Sequence, residues 1–322
     1  MTIKEEEFIN GKQGRKIERN MAKTTLQEAL PEEKSYWRIA RGRFDEYRGN
    51  LKTKPLSIDG IHIETEKPFI IAGPCTVHSR EQTLETAQRV KDAGATMLRG
   101  GAYKPRTSPY SFQGLGLEGL EILAEAREIT GLPIVTEVMD QRKVEEVGRF
   151  ADLLQIGARN MQNYALLQDV GHYAAEHNKA VLLKTGPKPK LIEVLCAAEY
   201  LAVEYEKINM QPKIVICERG INEQAQGMKN MPRPEFLYQL RKATYLPVIG
   251  DPSHSTGKRD FVPRTARSYL AAGANGLIID VIRDDEKPQI NGIDVCDYAQ
   301  GMRASAFQKF MKDKEAWRVP QR

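Results

Sequence analysis

From Pro68 onward, short runs of aliphatic and β-branched residues alternate with longer amphipathic segments. The short runs are apolar throughout, which is typical of strands buried on both faces of a parallel sheet. Four of the longer segments have helical periodicity: Ser79–Ala93, Leu117–Thr130, Met161–His177 and Lys190–Lys207. Eight such units in about 220 residues predict a (β/α)8 TIM barrel of the α/β class. The predicted strands lie within residues 68–73, 95–101, 132–138, 152–158, 180–186, 213–220, 246–253 and 275–281.

The first 60 of the 322 residues are polar and charged, in contrast to the apolar runs that follow. We therefore predict two parts, an N-terminal helical or irregular extension over residues 1–60 and a catalytic barrel over residues 61–322. We expect the extension to pack on the barrel or on a partner subunit, or its first residues to form a tail.

The composition argues against several classes of protein. No apolar stretch approaches the roughly 20 residues that cross a bilayer, and the first residues lack the apolar core of a signal peptide. The four cysteines are scattered and include no CxxC pair, which is typical of reduced intracellular proteins. A net charge of +5 is too mild to indicate nucleic-acid binding. We expect a cytoplasmic protein without a membrane or nucleic-acid partner.

Polar residues gather where the predicted strands end, and in TIM barrels the chemistry lies at that end. A cluster of buried cations is costly unless anions balance it. The cations here exceed the need of one phosphate monoester, so two phosphates, or a phosphate and a carboxylate, fit better. The cations are Arg99, Lys104, Arg106, Arg159, Lys184 and Arg219.

Three further strand-end residues indicate a metal site. Cys75, His254 and Asp280 are a soft, a borderline and a hard ligand, a combination that suits Zn, Fe, Co or Mn. Other roles stay open at this point: Cys75 as a small buried residue, and His254 as a phosphate ligand or an acid. Glu137, at the end of the third strand, is expected to orient a lysine or a substrate hydroxyl.

The chain also carries the motifs IAGPC, RGGAYKPRTSPYSFQGLG, TEVMD, QIGARNMQN, ERG and DPSHSTGKRD. Between Pro68 and Asp285 it resembles the 3-deoxy-D-arabino-heptulosonate 7-phosphate synthases, in particular the bacterial subgroup related to 3-deoxy-manno-octulosonate 8-phosphate synthase. The resemblance implies condensation of phosphoenolpyruvate with erythrose 4-phosphate at the start of the shikimate pathway, which leads to the aromatic amino acids. It also implies a divalent metal (Mn, Co, Zn or Fe) and a homo-oligomer, a dimer or a tetramer.

The resemblance implies roles for individual residues. Cys75 and His254 match metal ligands and also stand at the reacting centre, and Lys104 is a candidate proton donor. Arg106 and Thr107 would bind the phosphate of the aldose. The phosphoenolpyruvate ligands would be Arg99, Lys104, Arg159, Lys184 and Arg219, with Glu137 beside them.

The sequence departs from the family pattern at the metal site. The family has a Glu at the end of the eighth strand and an Asp about eleven residues later, where this chain has Asp280 and Asn291. Asp294 is a nearby substitute. Three functions therefore stay open: the heptulosonate synthase with an altered metal site, a paralogue that uses another aldose phosphate, and a catalytically silent binding subunit.

Overall fold

The computed structural model describes residue 53 and residues 56–58, 60–63, 67–223, 227–290, 293–294 and 296–313. Most of the predicted extension, including residues 1–52, lies outside this set, as does Asn291. The strands are β1 (Leu56–Ile58), β2 (Ile61–Ile63), β3 (Phe69–Gly73), β4 (Met97–Arg99), β5 (Ile134–Val138), β6 (Leu153–Ile156), β7 (Ala180–Lys184), β8 (Ile214–Glu218), β9 (Val248–Gly250), β10 (Gly276–Ile282), β11 (Gln289–Ile290), β12 (Ile293–Asp294) and β13 (Met302–Arg303). The helices of the described residues are α1 (Arg80–Asp92), α2 (Leu117–Thr130), α3 (Val144–Phe150), α4 (Tyr164–Glu176), α5 (Leu191–Lys207), α6 (Pro234–Ala243), α7 (Pro252–Thr256), α8 (Val262–Ala271) and α9 (Ala304–Lys312).

Strands β3 to β10 form a closed parallel barrel. Each pairs with the next along the chain, and β10 closes the ring by pairing with both β9 and β3. Seven of these strands fall within predicted apolar runs and β10 extends one residue beyond its run, so the (β/α)8 fold is confirmed. Because the strands are parallel, their carboxyl ends meet at one rim, and the register places Asp280 opposite Gly73.

A hairpin formed by β1 and β2 lies against the barrel, and it was not predicted. Leu56 and Ile58 are buried in the same apolar cluster as early strand residues such as Phe69 and Leu153. This hairpin therefore covers the amino-terminal end of the barrel, opposite the polar rim. Burying two such side chains stabilises the fold by about 1.5–3 kcal/mol each. The hairpin spans the boundary placed at residue 60, so the proposed division of the chain stays a prediction.

The helices begin and end at residues with clear local causes. Ser79 caps α1, and its hydroxyl accepts a hydrogen bond from the amide of Gln82 at 3.1 Å. Gly131 ends α2 in the left-handed region with a φ of 69°, a conformation that costs glycine little. Among the described residues, none of the helices combines the length and apolar character that a membrane crossing requires.

Candidate active site

A cavity of about 550 Å³ opens at the carboxyl-terminal rim of the barrel. All six predicted cations line it, although they come from different strands and loops. Thr107 and Glu137 also contribute to its wall. The cavity is therefore the place where the charges predicted from the strand ends meet. Its cationic wall consists of Arg99, Lys104, Arg106, Arg159, Lys184 and Arg219.

The turn after β3 brings Cys75 close to the end of β4. A Cβ on Gly73 would lie 2.1 Å from the carbonyl oxygen of Arg99, so the two backbones approach to a distance that only glycine permits. Two residues later, the carbonyl of Cys75 accepts hydrogen bonds from Arg99 Nη2 at 3.2 Å and from Lys104 Nζ at 3.1 Å. The GPC motif thus fixes a thiol beside two buried cations.

Arg99 and Asp280 form an ion pair that is almost fully buried. Arg99 is 4% exposed and Asp280 is 0% exposed, and the guanidinium donates from Nη1 to Asp280 Oδ1. The second carboxylate oxygen accepts from Gln300 Nε2 at 2.5 Å. Burial alone would lower the pKa of Arg99, but the charge of Asp280 raises it above its ordinary value. Both oxygens of Asp280 are therefore engaged within the protein.

Asp251 connects a second buried cation to the histidine. Its carboxylate accepts from Lys184 Nζ at 2.7 Å and lies 2.9 Å from His254 Nδ1. Burial would raise the pKa of Asp251, yet the charges of His254 and Lys184 hold it well below its usual range. Because Asp251 engages Nδ1, the other ring nitrogen, Nε2, is left to act as a ligand.

Three donor atoms lie close together beside the cavity, and two of them, on His254 and Asp297, belong to residues that line it. His254 Nε2 lies 3.8 Å from Cys75 Sγ and 3.9 Å from Asp297 Oδ2, and the sulfur lies 3.2 Å from the same oxygen. Tetrahedral coordination with bonds of about 2.0–2.3 Å separates donor atoms by roughly 3.3–3.8 Å. A thiol, an imidazole and a carboxylate at these separations fit a divalent transition-metal ion.

Asp297 was not predicted, and the prediction for Asn291 lies outside the described residues. Asp297 follows Asp280 by 17 positions in the numbering, and the short hairpin of β11 and β12 lies between them. Asp294, the substitute considered from the sequence, is exposed and accepts from Gln289 Nε2 at 2.8 Å. The available signal was that Asp297 is the next aspartate in the chain after Asp294.

Residues 50–316 match the DAHP synthetase I family. The chain belongs to this family. It is 44% identical over 229 residues to a phospho-2-dehydro-3-deoxyheptonate aldolase of Thermotoga maritima, a match covering 71% of this chain and 65% of that protein. A 2-dehydro-3-deoxyphosphooctonate aldolase of Bordetella petrii is 32% identical over 243 residues, covering 69% of this chain and 82% of that protein.

Solved structures of the family agree with the barrel described here. The crystal structure of the Thermotoga maritima DAHP synthase superposes with a TM-score of 0.74 at 38% identity, covering 84% of this chain and 77% of that one. A truncated form of a DAHP synthase from the same organism gives a TM-score of 0.72 at 36% identity, covering 84% of this chain and 96% of that one. The sequence match to the Thermotoga phospho-2-dehydro-3-deoxyheptonate aldolase spans just under two thirds of the length of that protein.

Within this member of the DAHP synthetase I family, His78 is a site residue that the sequence did not reveal. Its Nε2 accepts from the amide of Cys296 at 3.2 Å, and its ring stacks on Phe112 with centroids 4.9 Å apart. Burial, followed by the charges of Lys104 and Arg106, lowers its pKa to about 4. His78 is therefore neutral at neutral pH, as an acceptor must be, and its place just after the GPC turn was the available signal.

The remaining predicted residues lie on the cavity wall. Glu137 accepts from Gln155 Nε2 at 3.0 Å. Arg159 donates to the carbonyl of Pro105 at 2.8 Å, which ties the fourth strand-end loop to the KPRTS loop. The next residue of that loop, Arg106, contacts Cys296 Sγ at 2.5 Å. The structure therefore places the predicted residues together, while their individual roles stay predictions.

Proposed function

We propose that this chain condenses phosphoenolpyruvate with erythrose 4-phosphate and water, giving 3-deoxy-D-arabino-heptulosonate 7-phosphate and inorganic phosphate. One observation supports this most strongly: six cations line one cavity together with His254 and Asp297, whose donor atoms lie 3.8 and 3.2 Å from Cys75 Sγ. Two phosphorylated substrates, one of them with a carboxylate, supply the anions that such a wall requires. The family match and the names of the Thermotoga relatives point to the same reaction.

The deeper cations would bind phosphoenolpyruvate. Lys184 and Arg99 are held by their buried acids, so their positions are fixed before substrate arrives. Arg159 and Arg219 line the same cavity and would share the phosphate and carboxylate oxygens with them. Bidentate guanidinium contacts orient both anionic groups, which presents carbon 3 to the second substrate.

The KPRTS loop would bind the phosphate of the aldose. Arg106 is half-buried and Thr107 is exposed, and both line the cavity, which leaves room for a phosphate beside them. A guanidinium and a hydroxyl are suited to phosphate oxygens. The chain length between this phosphate and the aldehyde then selects the sugar.

The chemistry would require proton transfer as well as binding. A divalent metal on Cys75, His254 and Asp297 would supply Lewis acidity for the aldehyde. Lys104 lies 3.2 Å from Cys75 Sγ, at the edge of this group. Burial would lower its pKa, but the neighbouring thiols and Asp297 hold the pKa above its ordinary value. Lys104 would therefore stay an ammonium until carbon–carbon bond formation leaves an alkoxide, to which it donates a proton.

The test is loss of phosphoenolpyruvate absorbance in the presence of different aldose phosphates. Loss is expected with erythrose 4-phosphate, to be abolished by EDTA and restored by Mn, Co, Zn or Fe. Preference for a five-carbon aldose phosphate would instead indicate the octulosonate-forming activity named for the Bordetella relative. No loss with any aldose would favour the silent binding subunit.

A pair of arginine variants tests the aldose subsite. Arg106→Met should raise the KM for erythrose 4-phosphate at least tenfold, because a charge-assisted phosphate contact contributes about 1.5–3 kcal/mol. Arg142→Met is the matched control, since Arg142 is exposed and pairs only locally with Asp140. Equal KM values for the two variants would contradict the assignment of Arg106.

We also propose a cytoplasmic location and a homo-oligomer. The four cysteines are free, which suits a reducing compartment. Light scattering during size-exclusion chromatography would distinguish a monomer from the dimer or tetramer expected from family resemblance.

A further inference from the structure

Cys296 lies beside the group of metal donors described above. Its sulfur is 3.5 Å from Asp297 Oδ2, and the donor atoms of Cys75, Cys296 and Asp297 all lie within 4.8 Å of one another. Cys296 is buried, and His78 fixes its backbone by accepting its amide hydrogen at 3.2 Å. The fold thus holds a second thiol within 4.8 Å of the first.

We propose that Cys296 is a ligand of the metal ion, together with Cys75, His254 and Asp297, so that the site holds the ion with two thiolates. The proposal also implies that Asp280, at the position of the expected glutamate, does not bind the ion and instead neutralises Arg99. It deepens the proposed function, because it concerns the metal site that this function would use.

The separations between donor atoms support this set of ligands. A tetrahedral ion with bonds of about 2.3 Å to sulfur and 2.0–2.2 Å to nitrogen or oxygen separates its donors by roughly 3.3–3.8 Å. The observed separations from Asp297 Oδ2 are 3.2 Å to Cys75 and 3.5 Å to Cys296, and Cys75 lies 3.8 Å from the imidazole. These separations allow Cys296 to share an ion with Cys75 and Asp297.

The predicted donors Cys75, His254 and Asp280 also lie within 4.8 Å of one another, but both oxygens of Asp280 already have partners in the protein. Its Oδ1 is bound by Arg99, and its Oδ2 accepts from Gln300 at 2.5 Å. Asp280 Oδ2 lies 3.7 Å from His254 Nδ1, which is the ring nitrogen that Asp251 already engages. To bind an ion held by Nε2, Asp280 Oδ2 would have to release Gln300 and move to the other side of the imidazole ring.

Two thiolates change which metal the site prefers. Thiolate ligands favour soft or borderline ions such as Zn, Co and Cd over hard Mn. The contact between Arg106 and Cys296 at 2.5 Å also joins the metal site to the proposed aldose subsite. We therefore expect that loss of Cys296 weakens Cd and Zn binding more than Mn binding.

The experiment is titration of the metal-free full-length chain with Co²⁺ in the presence of a phosphine reductant, followed by near-ultraviolet thiolate-to-cobalt absorption. Cys296→Ser should retain about half the wild-type intensity at saturation, as should Cys75→Ser, because each removes one of two thiolates. Cys196→Ser, a half-buried cysteine on α5, is the matched control and should keep full intensity. Full intensity in Cys296→Ser, or no band in the wild type, would overturn the proposal.

A second measurement needs no variant. The ¹¹³Cd resonance of the wild-type chain should lie at the higher chemical shift of a two-thiolate site, and a one-thiolate shift would overturn the proposal even if Cys296→Ser fails to fold. Phosphoenolpyruvate turnover is measured separately. A two-thiolate spectrum without turnover would contradict the proposed function alone, whereas turnover with a one-thiolate spectrum would contradict the ligand set alone.

Discussion

Asp280→Asn tests whether this carboxylate serves Arg99 or the metal. The substitution keeps the size of the side chain but removes the negative charge from a pair whose members are 4% and 0% exposed. Removing one partner of a buried ion pair costs about 3–5 kcal/mol, because the other charge stays buried. We expect the low end, about 3 kcal/mol, since the Cys75 carbonyl and the nearby charge of Asp251 still favour the guanidinium.

The assay is urea unfolding of the metal-free variants at one pH, followed by circular dichroism. Asp285→Asn is the matched control: its carboxylate is 77% exposed and lies 3.6 Å from Arg283, so its loss should cost under about 1 kcal/mol. Adding Arg99→Met to Asp280→Asn should recover part of the loss, because no unpaired cation then remains in the interior.

The two roles of Asp280 predict different outcomes. As a counter-ion, its replacement lowers the free energy of unfolding and leaves the cobalt absorption unchanged. As a ligand, its replacement lowers cobalt affinity in folded protein. A variant as stable as the Asp285 control that no longer binds cobalt would refute the counter-ion argument.

Three further changes test other parts of the structure. Burial raises the pKa of Glu218 to about 7, so its contribution to the free energy of unfolding should fall as pH rises from about 4.5 through 7. Glu218→Gln should remove up to about 3 kcal/mol of that loss, as measured by urea unfolding at pH 5 and pH 8. Leu123→Ala in the buried face of α2 should cost about 2–5 kcal/mol in the same assay, while exposed Leu117→Ala should cost under about 1 kcal/mol. Gly157→Ala would place a methyl group 2.1 Å from Glu137 Oε1, so we expect a lower kcat for phosphoenolpyruvate consumption with an unchanged circular dichroism spectrum.

The barrel was predictable because its signal is local. Each strand is a mostly apolar run, and the observed strands coincide with the eight predicted runs, with β10 ending one residue later than predicted. The hairpin of β1 and β2 was missed for the opposite reason. Its strands have three residues each, too few for periodicity to be visible, and its stabilisation comes from contacts of Leu56 and Ile58 with distant barrel residues.

The cationic wall was predictable from position. Of the candidate metal donors, Cys75, His254 and Asp280 were predicted and lie within 4.8 Å of one another, whereas Asp297 was missed. Cys75 and His254 stand at strand ends, where barrel geometry places them together. Asp297 lies in a loop, about six residues beyond the spacing expected from the family, with the hairpin of β11 and β12 accommodating part of the difference. Counting residues from Asp280 therefore pointed to Asn291, and only the tertiary contact with Cys75 identifies Asp297.

The distribution of acids within the site separates two kinds of cation. Arg99 and Lys184 each have a buried carboxylate partner. Among the described residues, by contrast, no carboxylate lies within ion-pairing distance of Arg106, Arg159 or Arg219. The charge of a paired cation is largely balanced by its carboxylate, so it attracts an anion weakly, but its position is fixed. An unpaired cation can bind an anionic substrate without breaking an ion pair within the protein. The pairs would therefore set the geometry of the site, and the unpaired arginines would supply most of the attraction for the anions.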